Sequence, residues 1–418
     1  MDRKNPWLKS AIRLSYAGPN NIIADNHFSG IYGVAINTPG SFDGQITGNT
    51  ITNMRGKKVT WTDRLVATGI HLGGESKYGD VPKDVVPQTN GRNNFVAYNH
   101  IYDGYGNGIW SDVNGDGHFV FRNLVHGLSR NGIYMESRCD DNLVQENVAY
   151  NCQTGFSTAG MSVGTSRRNQ WINNVAFNCD RLGFAFVKSS DNVVKNNISL
   201  NNKGGQVNVA PTTITNGGNI FRNNLWYTSK DDKIACWNLE KWWKGEKLAL
   251  AEWVAASGEV SALSADPMFL NLNAGSEDFH LQADSPARRM GEQQQDLGAY
   301  PYLAEETDDA RVSFKGHVSR VDENQDLVGV EIILSSAAEQ PVAVEFRLEG
   351  TANQGQDYDL DQTKLVFSPG ETRKNIRIHV NDDTDDERDE TVVFSILPTH
   401  DARLGRILTY MLVIEDND

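Results

Sequence analysis

Nowhere does this sequence hold the roughly 18 successive apolar residues that a membrane-spanning helix needs, so no membrane span is expected. Its opening, Met1-Asp2-Arg3-Lys4-Asn5-Pro6, lacks the apolar core of a secretory leader, which reads as a mature or trimmed chain. Four cysteines (Cys139, Cys152, Cys179, Cys236) are too few for a disulfide scaffold and fit no zinc spacing. Cys152 and Cys179 each follow a repeat Asn by five residues, so a stacked pair is one option and reduced thiols packed in a core the preferred one. Basic residues are also short, 39 against 54 acidic for a net charge of −15, which excludes a nucleic-acid partner. What the chain has instead is glycine, 38 residues, and an excess of asparagine, a composition suited to tight turns rather than long helices.

Those asparagines are periodic. Asn26, Asn49, Asn99, Asn123, Asn147, Asn174, Asn197 and Asn224 each stand one or two residues before an apolar residue, at intervals of 23, 50, 24, 24, 27, 23 and 27 residues. The interval of 50 is either two coils or one coil with a long insertion. A second marker runs in step, a Gly opening an alternating strand: Gly33-Val-Ala-Ile, Gly69-Ile-His-Leu, Gly108-Ile-Trp-Ser, Gly132-Ile-Tyr-Met, Gly155-Phe-Ser-Thr and Gly183-Phe-Ala-Phe. Short strands at this period, without a leucine-rich frame, predict a right-handed parallel β-helix with the asparagines stacked in a ladder at one turn. The one helical stretch expected is 239–258, where Trp242, Trp243 and Trp253 are either sugar platforms or, as preferred, packed against the solenoid. Nothing before Trp7 reads as a cap for the first coil, so an upstream domain or another chain is expected to cover that end.

The segments "DPMFLNLNAGSEDFHLQADSPARRMG" and "DLGAY" resemble the closing region of bacterial β-helix proteins of the pectate-lyase-like class, a resemblance that runs over about residues 10–300. From Ala310 the texture changes to seven or so longer alternating strands, the pattern of a β-sandwich. "VDENQD", "EGTANQGQDYD", "VFSPGETRKNIRIHVNDDTDDERDETVVFSI" and "IEDND" resemble a Calx-β domain over the whole of 310–418. The expected organisation is therefore all-β: a β-helix at 1–305, an acidic linker "AEETDDA", and a Calx-β domain at 310–418. That last segment holds 22 acidic and 11 basic residues, most of the chain's net charge. The resemblance implies Ca²⁺ as a cofactor in loops carrying Glu323, Asp357, Asp382, Asp383, Asp416 and Asp418; the alternative is a solvated acidic surface.

Strand alternation lets the outward positions be read from each marker Gly. One outward column is Ala35, His71, Trp110, Tyr134, Ser157 and Ala185; the next is Asn37, Gly73, Asp112, Glu136, Ala159 and Val187. Asp112 and Glu136 are then vertical neighbours on rungs ~4.8 Å apart, close to the ~5–5.5 Å expected of a retaining glycosidase pair. Like charges that close push one pKa up, leaving one group protonated and the other ionised. Trp110 and Tyr134 stand beside them as candidate sugar platforms, with His71 in the same column and small residues below that leave a groove open. Insertions at 55–93 and 159–168 are expected to wall it.

"GIWSD" and "GIYME", 24 residues apart, resemble the paired motifs of the β-helical β-xylosidases of glycoside hydrolase family 120. That resemblance implies Asp112 as nucleophile and Glu136 as acid/base, although Ser111 and the "SRCDD" after Glu136 depart from the family pattern. The reading is a secreted or cell-surface enzyme that hydrolyses a polysaccharide or oligosaccharide. One alternative is a lyase acting on a uronate polymer, because "VKSSDN" with Lys188 resembles a strand ending of β-helical alginate and chondroitin lyases, and Arg130, Arg138, Arg167 and Arg168 could neutralise acid groups. No Arg follows Lys188 one coil later, where "GGQVNVAP" stands. The other alternative is a non-catalytic adhesion module, which fold alone does not exclude.

Overall fold

The computed structural model describes residues 10–417 except 59–64, 74–90, 161–163, 211–216, 238–245, 303–309, 317, 361, 385–389, 398, 400 and 406. The chain forms two compact units, 1–303 and 304–418. The expected linker, Trp242, Trp243, Asp418 and the residues before Ser10 lie outside the described residues.

In the first unit three sheets of ten, eight and eight strands run in chain order, parallel except for the last strand of the ten, so each coil places one strand in each. One coil shows the plan: Phe95–Ala97 in the second sheet, His100–Gly104 in the third and Asn107–Asp112 in the first. The first sheet's inward side chains, Ile36, Ile70, Ile109, Ile133, Phe156, Phe184 and Val207, stack rung on rung in one hydrophobic core. His100 pairs directly with Thr50 across the 50-residue interval, which is therefore one coil carrying a long insertion.

The eight asparagines form one ladder. The side-chain oxygen of each accepts the backbone N–H and the amide N–H of the Asn before it, from Asn26 onto Asn49 through to Asn197 onto Asn224 at 2.9–3.1 Å. A buried amide carries both donors and an acceptor, so each coil satisfies the next. A second ladder, which the sequence reading missed, runs five residues ahead of the first: Asn94, His118, Asn142, Asn169, Asn192 and Asn219. The constant offset of five was legible, but His118 interrupts the residue type.

Two expectations need correction. Asn37, not Ala35, pairs with His71, and Pro39 with Gly73, a shift of two residues that keeps Ile36 inward and places it on Ile70 instead of Leu72. Among the described residues of 239–258 the helix spans Leu250–Ser257, ending at Gly258 in left-handed backbone (φ 72°). Glu246–Ala249 instead pairs antiparallel with Lys233–Trp237, which satisfies the edge of the last parallel strand. Trp253 is fully buried against Phe221 and Trp237, so it packs rather than binds. All four cysteines are buried and free. Beyond the helix, Phe269, Phe279, Leu281, Leu297 and Ala299 cover Val148, Val175, Ile198 and Leu225 on the outer face of the third sheet.

The second unit is a sandwich of two five-stranded sheets around Val312, Phe314, Val330, Ile332, Val344, Phe346, Ile376, Ile378, Phe394 and Leu412. It has more strands than the seven or so expected because Arg311–Phe314 and Val318–Asp322 are consecutive pieces that enter different sheets and because Tyr358–Leu360 and Arg403–Leu404 add short edge strands. No helix among the described residues is long and apolar enough to cross a membrane.

Candidate functional site

Five consecutive strands of the first sheet carry a Gly at their second position (Gly69, Gly108, Gly132, Gly155 and Gly183), at a corner too tight for a side chain: a Cβ on Gly108 would run into Val125 and the Gly132 carbonyl. Fixing that corner fixes the phase of the strand, and with it which residues face out. Trp110 pairs with Tyr134 and Asp112 with Glu136 in direct register. The two carboxylates are thus outward neighbours on adjacent rungs, both half-buried. Gly73 flanks Asp112 on one side, and Ala159, Val187 and Ala210 continue the column beyond Glu136. The segments that leave the sheet beside the pair, 74–90 and 161–163, lie outside the described residues, so the expected groove walls are not described.

The two carboxylates sit in different surroundings. Burial, and then the charge of Glu136, push Asp112 up to about 8, opposed by one hydrogen bond from the Val113 backbone N–H. Burial also raises Glu136, but the Tyr134 hydroxyl, the Trp110 indole N–H and the charge of Arg130 all favour its ionised form. The Trp110 contact is looser than a full hydrogen bond. Within the pair, this arrangement favours the proton on Asp112 and the negative charge on Glu136.

Trp110 and Tyr134 face outward, yet only 9% and 7% of each is exposed. Their rings stack on each other at 6.4 Å and 8° and pack with Ala159, Val187 and Ala210. They are therefore not open sugar platforms; flat apolar rings on an outer face cover each other, and their polar edges serve Glu136 instead. His71 meets Trp110 edge-on at 5.0 Å, and its Nδ1 is 2.9 Å from Asn37 Oδ1. Burial, then the charge of Arg13, pulls it down to about 4, so it is a neutral neighbour of the aromatic column rather than a third member of the pair.

Arg138 and Lys188 are not brought to the pair's column. Arg138, exposed and in left-handed backbone, lies along Gly164. Lys188 is exposed one residue beyond Val187, also left-handed, two rungs from Glu136. Arg130 is the residue whose charge reaches Glu136, and nothing in its local sequence marked it for that role.

In the second unit one pocket is lined by Glu323, Asp357, Asn381, Asp383, Glu390 and Asp416, with Ile414 behind them. Four of the six expected acidic residues are gathered there, together with Glu390 and Asn381, which the sequence reading did not name. Asp382 is outside the lining and shares with Glu323 the side-chain N–H groups of Asn417, at 3.1 and 2.9 Å. Asp416 buries one carboxylate oxygen with no hydrogen-bond partner.

Residues 85–238 match the right-handed β-helix region family, and 305–418 match the Calx-β domain family. The chain is a right-handed β-helix fused to a Calx-β domain. Sodium/calcium exchanger 1 of dog (Canis lupus familiaris) and of cattle (Bos taurus) are each 52% identical over 50 residues, 12% of this chain and 5% of theirs. The chain thus matches only about 5% of the length of these curated relatives. Among solved structures, an apo-form Calx CBD1 domain is 26% identical, with 27% of this chain and 100% of that one covered, at a TM-score of 0.25. The complex of XylC with xylose is 12% identical, with 97% of this chain and 66% of that one covered, at a TM-score of 0.36.

Another buried carboxylate of the β-helix, one that the sequence reading passed over, closes the ladder. Glu259, 3% exposed, ends the first asparagine ladder: its Oε1 accepts the backbone and amide N–H of Asn224, and its Oε2 accepts both the Trp226 and Trp253 indoles. It breaks the residue type of the repeat, and its spacing of 35 from Asn224 fits no earlier interval.

Proposed function

We propose that the β-helix unit is an extracellular glycoside hydrolase acting on a polysaccharide or oligosaccharide, with Asp112 and Glu136 as its catalytic pair. The observation that carries this reading is their direct register on adjacent outward rungs. Parallel rungs ~4.8 Å apart suit the shorter carboxylate spacing of retention, in which no water fits between the pair before the first step. The electrostatics favour Glu136 as the anion that attacks the anomeric carbon and Asp112 as the acid that protonates the departing oxygen. This reverses the roles implied by the family resemblance. In the second half Asp112, now ionised, takes a proton from water, whose oxygen attacks the same carbon and frees Glu136. Tyr134 and Arg130 support this order of roles by stabilising Glu136 as the anion.

The test is a panel of neutral and acidic polysaccharides with aryl glycosides, read for reducing ends and for the near-ultraviolet absorbance of unsaturated uronates. Hydrolysis with retention is expected, and Asp112→Asn and Glu136→Gln should each lower turnover by about 10²-fold or more. Added azide separates the roles. The Glu136→Ala variant should yield a glycosyl azide of inverted anomeric configuration, and Asp112→Ala one of retained configuration; the opposite pattern makes Asp112 the nucleophile. Unsaturated products that vanish in Lys188→Ala would replace the hydrolase with a lyase, and no product from any glycan would leave an adhesion module.

We also infer that the Calx-β pocket binds Ca²⁺. Hard carboxylate oxygens in excess suit that ion, and the partnerless buried oxygen of Asp416 is the kind of group a cation satisfies. Glu323, Asp357, Asp383, Glu390 and Asp416 would hold it. Among the described residues no three of these stand close enough together to share an ion as placed, so binding would draw the loops inward.

A further inference from the structure

We infer that His100 and His126, on the outer face of the third sheet of the β-helix, form a binding site for one divalent transition-metal ion of the copper or nickel type. The two imidazoles come from adjacent coils and approach to 2.9 Å between their Nε2 atoms. His126 is clamped in its column, stacked between Tyr102 (5.2 Å, 7°) and Tyr150 (4.5 Å, 12°), the residues directly in register with it on either side. His100 is held beside the same Tyr102 at 4.4 Å. Both histidines are half-buried, so an ion can reach them.

Without metal, one Nε2–H lies between the two nitrogens and the rings, 5.1 Å apart at 35°, meet nearly end to end. Metal binding would move that proton to Nδ1 of the same ring and turn both Nε2 lone pairs toward the ion, with no change in the net protonation of either imidazole. Burial lowers the pKa of both histidines, which keeps them neutral and competent as ligands. Asp103 acts on both rings and Glu277 on His126, adding negative charge that favours a cation.

Affinity for imidazole nitrogen rises through Ni²⁺ to Cu²⁺ and falls again at Zn²⁺, so two imidazoles with the remaining positions left to water favour the copper or nickel type. Among the described residues no third His, Cys, Asp or Glu completes a ligand set, so water fills the remaining positions. The site is on a different sheet from Asp112 and Glu136 and stands whether or not the glycosidase reading holds.

Tag-free, chelator-treated protein, kept in saturating Ca²⁺ so that the acidic loops are occupied, is titrated with NiCl₂ by calorimetry and with CuCl₂ by electron paramagnetic resonance. One equivalent of Ni²⁺ is expected, bound more tightly than Zn²⁺. His100→Gln and His126→Gln should each weaken it by about tenfold or more. The Cu²⁺ spectrum of the unmutated protein should show coupling to two imidazole nitrogens, a readout that does not depend on how the variants fold. Ni²⁺ binding unchanged in both variants, or a Cu²⁺ spectrum with fewer than two imidazole nitrogens, would overturn the assignment.

Discussion

Removing the Glu259 carboxylate should unseat the end of the asparagine ladder. Replacement by Ala strands four donors in a site that is 3% exposed: the Asn224 backbone N–H, its amide N–H and two indole N–H groups. Each buried donor left unpaired costs about 1–3 kcal/mol, and relief of the buried carboxylate's own desolvation offsets part of the sum, so a net loss of roughly 3–5 kcal/mol is expected. Gln keeps an oxygen for Asn224 but turns an NH₂ toward the two indoles, so about half that loss is expected. Burial holds the Glu259 pKa above its usual 4.5 in the folded state. The folded protein therefore keeps a proton that the unfolded chain gives up, and the parent loses stability as pH rises from about 4.5 through the folded pKa. The Gln variant lacks that slope, and its deficit should narrow over the same range. All nine tryptophans precede residue 254, so urea unfolding followed by tryptophan fluorescence reads the β-helix unit alone. Unfolding midpoints for both variants that stay within about 0.5 kcal/mol of the parent would refute the reasoning, because surface changes alone account for that much.

Asp112→Asn should make the β-helix more stable in alkali. The folded pKa of about 8 lies above the ordinary 3.8, so the parent loses stability as pH rises between those values while the Asn variant does not; on the order of 5 kcal/mol is expected by pH 8 and none near pH 4, read by the same fluorescence titration. Chelation should lower the melting transition of the Calx-β unit and leave tryptophan fluorescence unchanged. A free Ca²⁺ concentration 100 times the Kd is worth about 2.7 kcal/mol, and Asp416→Asn should remove most of that shift in calorimetry.

What the sequence made legible was whatever repeats. The Asn at each coil, the strand alternation and the acidic loop motifs each occur many times or as long strings, so the ladder, the outward column of Asp112 and Glu136 and the sandwich could be read from spacing alone. What stayed hidden occurs once or depends on what covers a surface. Glu259 replaces an Asn at the end of the ladder, and His118 replaces one within the second. The burial of Trp110 and Tyr134 is invisible to alternation, which separates the two faces of a strand but does not say how far an outer face is covered. The shifted register of Asn37 on His71 was hidden for the same reason, since a slip of two residues leaves the inward and outward sets unchanged and alternation cannot detect it.

The solenoid treats the buried Glu259 and the half-buried pair of Asp112 and Glu136 in opposite ways, and that contrast bears on function. Glu259 receives four N–H donors, the arrangement expected where an acid has only to hold structure together. Asp112 receives one backbone N–H and faces Glu136, a second carboxylate, on the next rung. A coil has inexpensive ways out of that conflict: an Asn at either position would fill the same space without the charge, and the chain uses Asn freely elsewhere. Keeping two acids in register at a half-buried position lowers stability at the pH where one of them must ionise. A site that stays destabilised when a neutral isostere is available is better explained by chemistry that needs a proton and a negative charge side by side than by packing. The stability gained in Asp112→Asn and the turnover lost in the same variant are two readings of that one conflict, and the glycosidase proposal requires that they appear together.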